Sequence, residues 1–177
     1  MTGSDLTTAT EEALERCSLG RDADRLAEPP TLDDVYRVNT NRDGEPVFVP
    51  LVEIDLETTD EPELAAVYRI AAEVIRAVHP ACRDEHVRQY DVVFAYGDTS
   101  WWDWDEEQRR IAVRPRDAER LTREPDFGPP ELRDRLEELD DGDDEIPPVA
   151  WGETLGEWEY YTDDDDWSWL FFMGGAG

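Results

Sequence analysis

The chain has 177 residues, of which 46 are Asp or Glu and 17 are basic, and its formal net charge is −29. Hydrophobic residues make up 39% of the chain and seven residues are tryptophan, so we expect one ordinary domain with a hydrophobic core. No apolar run approaches the roughly 18 residues of a membrane-spanning helix, and the first twenty residues lack the apolar stretch of a signal peptide. We therefore expect a cytoplasmic protein with no membrane span.

The basic residues are all arginine, because the chain contains no lysine. Total replacement of Lys by Arg, together with a large excess of acidic residues, resembles the proteins of salt-in, GC-rich haloarchaea. The resemblance is one of composition, covers the whole chain and implies a cytoplasm at molar salt, where charge repulsion is screened within about 3 Å. The acidity then serves solvation and is no evidence for a basic ligand. Cys17 and Cys82 form no recognisable framework, as is usual in a reducing cytoplasm.

The sequence is predicted to divide into three parts. Residues 1–30 are expected to be disordered at first, over 2–10, and then to form a short helix over 11–19. Residues 31–122 carry the apolar and alternating patterns of a folded core. Residues 123–177 hold eighteen acids but only three arginines, and are predicted to be an acidic, aromatic C-terminal extension.

Five stretches of the core are predicted to be strands because they are apolar or alternate between apolar and polar residues. The first two flank a run of turn residues and should form a hairpin. The third is apolar on both faces and should be central in the sheet. The last two flank an acidic turn and should form a second hairpin. These strands are expected at residues 35–38, 47–56, 90–96, 100–104 and 109–114.

One amphipathic helix is predicted between the second and third strands. Asp60 and Glu63 resemble a capping box, and apolar residues recur at three- and four-residue steps from Leu64 to Val78. Further short helices are expected near 116–122 and 131–139. The predicted fold class is thus α+β, with a mostly antiparallel sheet in the order β-β-α-β-β-β and the amphipathic helix packed across one face.

The two histidines of the chain flank a cysteine in the pattern His79-x2-Cys82-x3-His86. Imidazole and thiolate are the ligands that zinc prefers, so these three residues are a candidate zinc site. The alternative is structural: a histidine at a helix C-terminus followed by a buried cysteine. The spacing matches no strong zinc signature, and we favour the structural interpretation.

A second candidate site lies in the most basic stretch of the chain. In the predicted second hairpin Asp103 pairs with Arg110 and Trp102 with Ile111. Arginine beside exposed tryptophan is how sheets hold single-stranded nucleic acid, although these arginines can equally neutralise neighbouring carboxylates. The candidate nucleic-acid-binding residues are Arg109, Arg110, Arg114, Arg116 and Trp101.

The third candidate site is at the C-terminus, where acidic and aromatic residues are interspersed. Such segments dock aromatic anchors into a partner's groove, and the candidate anchors are Trp158, Trp167, Trp169, Phe171 and Phe172. Alternatively, residues 151–161 fold back onto the sheet, or residues 167–172 add an edge strand in a homodimer.

An enzymatic interpretation is also available, since Glu53, Asp55 and Asp91 lie on adjacent predicted strands and carboxylates bind Mg²⁺. Among 46 acids some trio always resembles a metal site, so this interpretation carries little weight. The sequence favours a non-catalytic protein-interaction protein of a halophilic cytoplasm. The alternatives are a nucleic-acid-binding module and a metal-dependent hydrolase using zinc or magnesium.

Overall fold

The computed structural model describes residues 3–97, 107–139 and 149–152. A short 3₁₀ helix at Gly20–Arg25 follows the first α-helix. The α-helices and strands, in chain order, are α1 Gly3–Glu15, β1 Thr31–Thr40, β2 Pro46–Asp55, α2 Leu64–Cys82, β3 Tyr90–Tyr96, β4 Glu107–Val113, α3 Pro115–Arg123, α4 Pro129–Leu139 and β5 Val149–Gly152.

The strands form one mixed sheet in the order β1-β2-β3-β4-β5. β2 and β3 are parallel and are connected by α2, whereas the other three neighbouring pairs are antiparallel. A parallel pair needs such a crossover because its strands run in the same direction. The chain therefore has an α+β fold, with several helices and a mixed sheet.

The two faces of the sheet have different surroundings. Buried side chains from all four described α-helices join one face of the sheet in a single cluster, to which β3 contributes Tyr90, Val92 and Phe94. We call this the helix face. Val93 points to the opposite side and packs with Leu51 in a separate small cluster, because successive strand residues alternate between faces. We call this side the second face.

The N-terminal residues differ from the sequence-based expectation. The structure has α1 over Gly3–Glu15, where the sequence predicted disorder followed by a helix at 11–19. Leu6 of this helix is fully buried, and the main cluster extends from Leu6 to Leu136. The buried positions Leu6, Thr10, Ala13 and Leu14 are spaced by four, three and one, but the polar residues among them make this helical pattern hard to recognise in the sequence.

The pairing of β4 also differs from the prediction. Arg110 pairs with Val93 of β3 on one side and with Ala150 of β5 on the other. Both edges of β4 are thus paired at Arg110, whereas its predicted partner Asp103 lies outside the described residues. The predicted strand at 100–104 lies outside the described residues.

Helix α2 covers the predicted helical stretch and continues to Cys82, with Pro80 in its last turns. Its N-cap residue is Glu63 and has no side-chain capping hydrogen bond, so the capping box predicted from Asp60 and Glu63 is absent. Within the described ranges, no helix has both the length and the apolarity needed to cross a bilayer.

Candidate functional site

The predicted zinc ligands have other partners in the structure. His79 lies near the end of α2 and is 5% exposed. Its Nδ1 is 2.8 Å from the Tyr90 hydroxyl oxygen and its Nε2 is 2.8 Å from Oε2 of Glu119. Both ring nitrogens are satisfied when Tyr90 donates to Nδ1 and the Nε2–H group donates to Glu119. These bonds connect α2 with β3 and α3.

The other two predicted ligands have different hydrogen-bond partners. Cys82 is fully buried, with its Sγ 3.4 Å from Oγ1 of Thr10, and burial raises the pKa of its thiol. His86 is exposed and its Nε2 is 2.6 Å from Oε2 of Glu45. In the described part of the chain, no three His, Cys, Asp or Glu side chains are grouped as metal ligands would be.

Tyr90 shows how strongly the helix face is desolvated. Burial raises the pKa of its hydroxyl well above the usual range, which keeps the hydroxyl protonated as a hydrogen-bond donor. The hydrogen bond from His79 holds the pKa of Glu119 below its ordinary value. Around His79 the geometry thus provides a network that ties three elements together.

The second face carries a buried ion pair. Asp91 of β3 and Arg110 of β4 are each 1% exposed, and Oδ2 of Asp91 is 3.6 Å from Nε of Arg110. Oδ1 of Asp91 accepts a hydrogen bond of 2.8 Å from Gln89. Burial raises the pKa of Asp91 to about 6, against the lowering effect of the Arg110 charge.

This ion pair bears on the magnesium interpretation. Glu53 and Asp55 are exposed residues of the neighbouring strand β2, whose Leu51 pairs with Asp91. Asp91 faces an arginine instead of a cation site, and the carboxylates of these three residues do not form a metal-binding group. The described geometry therefore gives the magnesium interpretation no support.

The predicted nucleic-acid-binding residues fall into two groups. Arg109 and Arg110 are buried, at 0% and 1% exposure. Nη2 of Arg109 lies 3.4 Å from Oε1 of Glu61 on the helix face. Arg114 and Arg116 are exposed at the beginning of α3, and Trp101 lies outside the described residues. Only the two exposed arginines can reach a phosphate, so nucleic-acid binding by this stretch stays a prediction.

A groove between α2 and α4 was not anticipated from the sequence. Its cavity volume is about 440 Å³ and its floor is mainly apolar. We call it the arginine groove, and its lining residues are Arg21, Ala65, Tyr68, Arg69, Pro129, Pro130, Arg133 and Asp134. The three arginines come from three distant parts of the chain and are brought together by the fold. No local sequence motif therefore predicts that they are neighbours.

The arginines of the groove differ in how far they are neutralised. Arg69 donates two hydrogen bonds of 2.9 Å to Asp22, and this bond from Arg69 lowers the pKa of Asp22. Nε of Arg133 donates to Glu137 over 2.7 Å. Arg21 is exposed and has neither a hydrogen bond nor an ion pair within the described ranges.

The predicted aromatic anchors lie outside the described residues: Trp158, Trp167, Trp169, Phe171 and Phe172. The chain immediately before them is described, because β5 pairs with β4 through residues 149–152. We call residues 153–177 the C-terminal segment. It begins directly after a strand that is hydrogen-bonded to the sheet.

Comparison with protein-family models, with curated proteins and with solved structures finds no match to this chain.

Proposed function

We propose that this is a non-catalytic protein-interaction protein of a halophilic cytoplasm, which binds a protein partner through its C-terminal segment. The aromatic anchors are Trp158, Trp167, Trp169, Phe171 and Phe172. In this proposal residues 31–122 are the core that α2 packs across, and residues 123–177 are its acidic extension.

The observation that carries the proposal is the attachment of the C-terminal segment to the sheet. β5 ends at Gly152, six residues before Trp158. A binding segment that starts from a fixed strand loses less freedom on binding than one joined through a long linker. A few residues carry most of the binding energy of a protein interface, and tryptophan is among the residue types enriched in this set.

High salt concentration also favours recognition through aromatic anchors over recognition through net charge. In molar KCl the attraction between separated charges is screened within about 3 Å, whereas apolar association persists and is strengthened by salting-out ions. A partner in a halophilic cytoplasm is therefore better recognised by tryptophan and phenylalanine than by net charge. The acidic residues between the anchors keep the segment soluble.

The two alternatives have less support. Nucleic-acid binding would use Arg114 and Arg116, since Arg109 and Arg110 are buried, and phosphate contacts weaken steeply with salt. A metal-dependent hydrolase would need ligands other than His79, Cys82 and His86, whose side chains are engaged elsewhere.

The test is affinity capture from a lysate of the source organism in molar KCl, using the full chain as bait. The aromatic variant replaces Trp167, Trp169, Phe171 and Phe172 by alanine. A matched control replaces Asp163, Asp164, Asp165 and Asp166 by asparagine in the same segment. We expect a stoichiometric protein partner with the parent and the control, and its loss with the aromatic variant. A partner that the aromatic variant retains, or no partner for the parent, would refute the proposal.

A further inference from the structure

We propose that the arginine groove is a binding site for an acidic aromatic peptide, and that its occupant is the protein's own C-terminal segment. The inference deepens the proposed function, on which it rests for the identity of the binding element. The segment would occupy the groove in the free protein, and the external partner would compete for the same aromatic residues.

The charge of the groove points to an acidic occupant. The whole chain has a formal charge of −29, yet the groove lining has three arginines against the single acid Asp134. Arg69 and Arg133 are ion-paired with Asp22 and Glu137, which are not lining residues, and Arg21 has no ion pair in the described part of the chain. An incoming carboxylate therefore meets the guanidinium of Arg21, whose charge interacts with the adjacent Asp22 but which makes no hydrogen bond within the described ranges, and the unused nitrogens of Arg133.

Molar salt does not remove this attraction. Screening acts most strongly on exposed charges that are separated by water and ions, whereas a guanidinium and a carboxylate in direct hydrogen-bonded contact have no salt ion between them. The Arg69–Asp22 pair, at 2.9 Å for both bonds, is an example within this groove. Contact pairing is thus the form of charge recognition that survives in such a cytoplasm.

The floor of the groove points to an aromatic occupant. Ala65, Tyr68, Pro129 and Pro130 form its apolar part, and the cavity volume of about 440 Å³ lies within the range of small-ligand pockets. An indole ring can pack on such a floor while its face meets a guanidinium. A small hydrophilic anion would leave the apolar floor in contact with water.

The C-terminal segment has both properties in the required spacing. Trp158 stands between Glu157 and Glu159, and the run of four aspartates at 163–166 directly precedes Trp167. An aromatic side chain on the floor thus has a carboxylate one residue away for the arginines at the rim. Few other stretches of the chain place an acid on both sides of a tryptophan.

The tether favours an occupant from the same chain over one from a second copy. The C-terminal segment has 25 residues and can span up to roughly 80 Å when extended. A tether of this length gives an effective concentration of the order of 1 mM, far above the working concentration of a second copy. Docking would also cover apolar residues that are otherwise a cause of aggregation.

The test uses a fluorescently labelled peptide of residues 153–177 added to the full chain in molar KCl. One receptor is the parent; the other carries Trp158, Trp167, Trp169, Phe171 and Phe172 all replaced by alanine. We expect the peptide to bind the alanine receptor at least about tenfold more tightly, because its groove is not occupied by its own segment. Equal affinity for both receptors, or no binding to the alanine receptor, would overturn the proposal.

The groove itself is tested in the alanine receptor by R21E together with R133E. R42E together with R83E is the matched control, since both residues are exposed arginines outside the groove. We expect the groove pair to weaken peptide binding by at least about tenfold and the control to leave it unchanged. If the double variant does not fold, R21E alone serves, because Arg21 is exposed and makes no hydrogen bond or ion pair within the described ranges. Equal loss in the control would mean that net charge alone governs binding.

The outcomes separate this inference from the proposed function. A partner captured from lysate together with no peptide binding in the groove would overturn only the present inference. Peptide binding without a captured partner would overturn only the proposed function. A concentration-dependent dimer of the parent that R21E dissociates would show exchange of the segment between copies and would overturn the same-chain occupant.

Discussion

At the scale of single residues, Asp91 combines a charge with nearly complete burial. It is 1% exposed on the second face, beside Arg110, and burial raises its pKa to about 6. The unfolded chain ionises this carboxyl near pH 3.9. Between these two values the folded protein binds a proton that the unfolded chain has already lost.

This difference gives a prediction about pH and stability. The contribution of Asp91 is fully present below about pH 4 and is lost as pH rises through 6. It amounts to about 2–3 kcal/mol of unfolding free energy. D91N should remove this part of the pH dependence, measured by denaturant unfolding between pH 4 and 7 at constant molar KCl. D55N is the control, because Asp55 is an exposed acid on the adjacent strand. An unchanged pH profile for D91N would contradict the assignment.

Residue-level burial was the least predictable property of the chain. Arg109 and Arg110 are among the largest fully buried side chains, and arginine is almost never fully buried unless it is paired, as these two are with Glu61 and Asp91. The sequence gives their strand but not its neighbours, and the neighbours decide the exposure. The same limit applies to the arginine groove, whose members meet only after α2 and α4 have packed.

At the scale of elements, α2 was predictable because its apolar residues follow the helical period. Its packing partners were not, because they depend on contacts across long sequence separations. His79 of α2 bonds to Tyr90 of β3 and to Glu119 of α3. The zinc site at His79, Cys82 and His86 stays a prediction, and these contacts show the partners that His79 has in the described structure.

The Tyr90 hydroxyl is expected to stabilise the junction of α2, β3 and α3. Y90F removes the donor to Nδ1 of the buried His79 and should lower the unfolding free energy by about 1–3 kcal/mol, the cost of an unsatisfied buried polar group. Denaturant unfolding measures the loss, and amide exchange should be faster in α3. Y36F is a suitable control, because the Tyr36 hydroxyl donates to Asp33 on the surface. Equal losses for Y90F and Y36F would show that the network is unimportant.

Strand pairing shows a second limit of local patterns. The sequence predicted β4 as a strand but not its described partners, which are β3 and β5; the predicted neighbour at 100–104 lies outside the described residues. Turn residues predict where the chain reverses direction. They do not predict which strand pairs with each edge of β4. The parallel pairing of β2 with β3 follows from the α2 crossover once the central strand is known.

At the scale of the whole molecule, the net charge of −29 governs the response to salt. Self-repulsion opposes the compact state at low ionic strength and is screened in molar salt. The unfolding temperature should therefore rise steeply as KCl is increased from about 0.2 to 3 M, with a Debye length falling to about 3 Å or less. Thermal unfolding followed by circular dichroism measures this. A protein that is equally stable at both concentrations would contradict the haloarchaeal interpretation of the composition.

β5 connects the described sheet to the proposed binding segment, because its pairing with β4 attaches the start of the C-terminal segment to the sheet. The sequence already indicated the aromatic anchors, since interspersed acids and aromatic residues are visible without a structure. It could not indicate where such a segment is attached, or that a groove of complementary chemistry lies on the same molecule. Both depend on the assembled helices and strands.

The most direct measurement of the central claim is the molar ratio of captured partner to bait in about 3 M KCl, where separated charges are screened. The parent chain and the variant with Trp167, Trp169, Phe171 and Phe172 replaced by alanine are compared side by side. The account predicts close to one partner per parent chain and essentially none for the variant. The same ratio for both chains would contradict it.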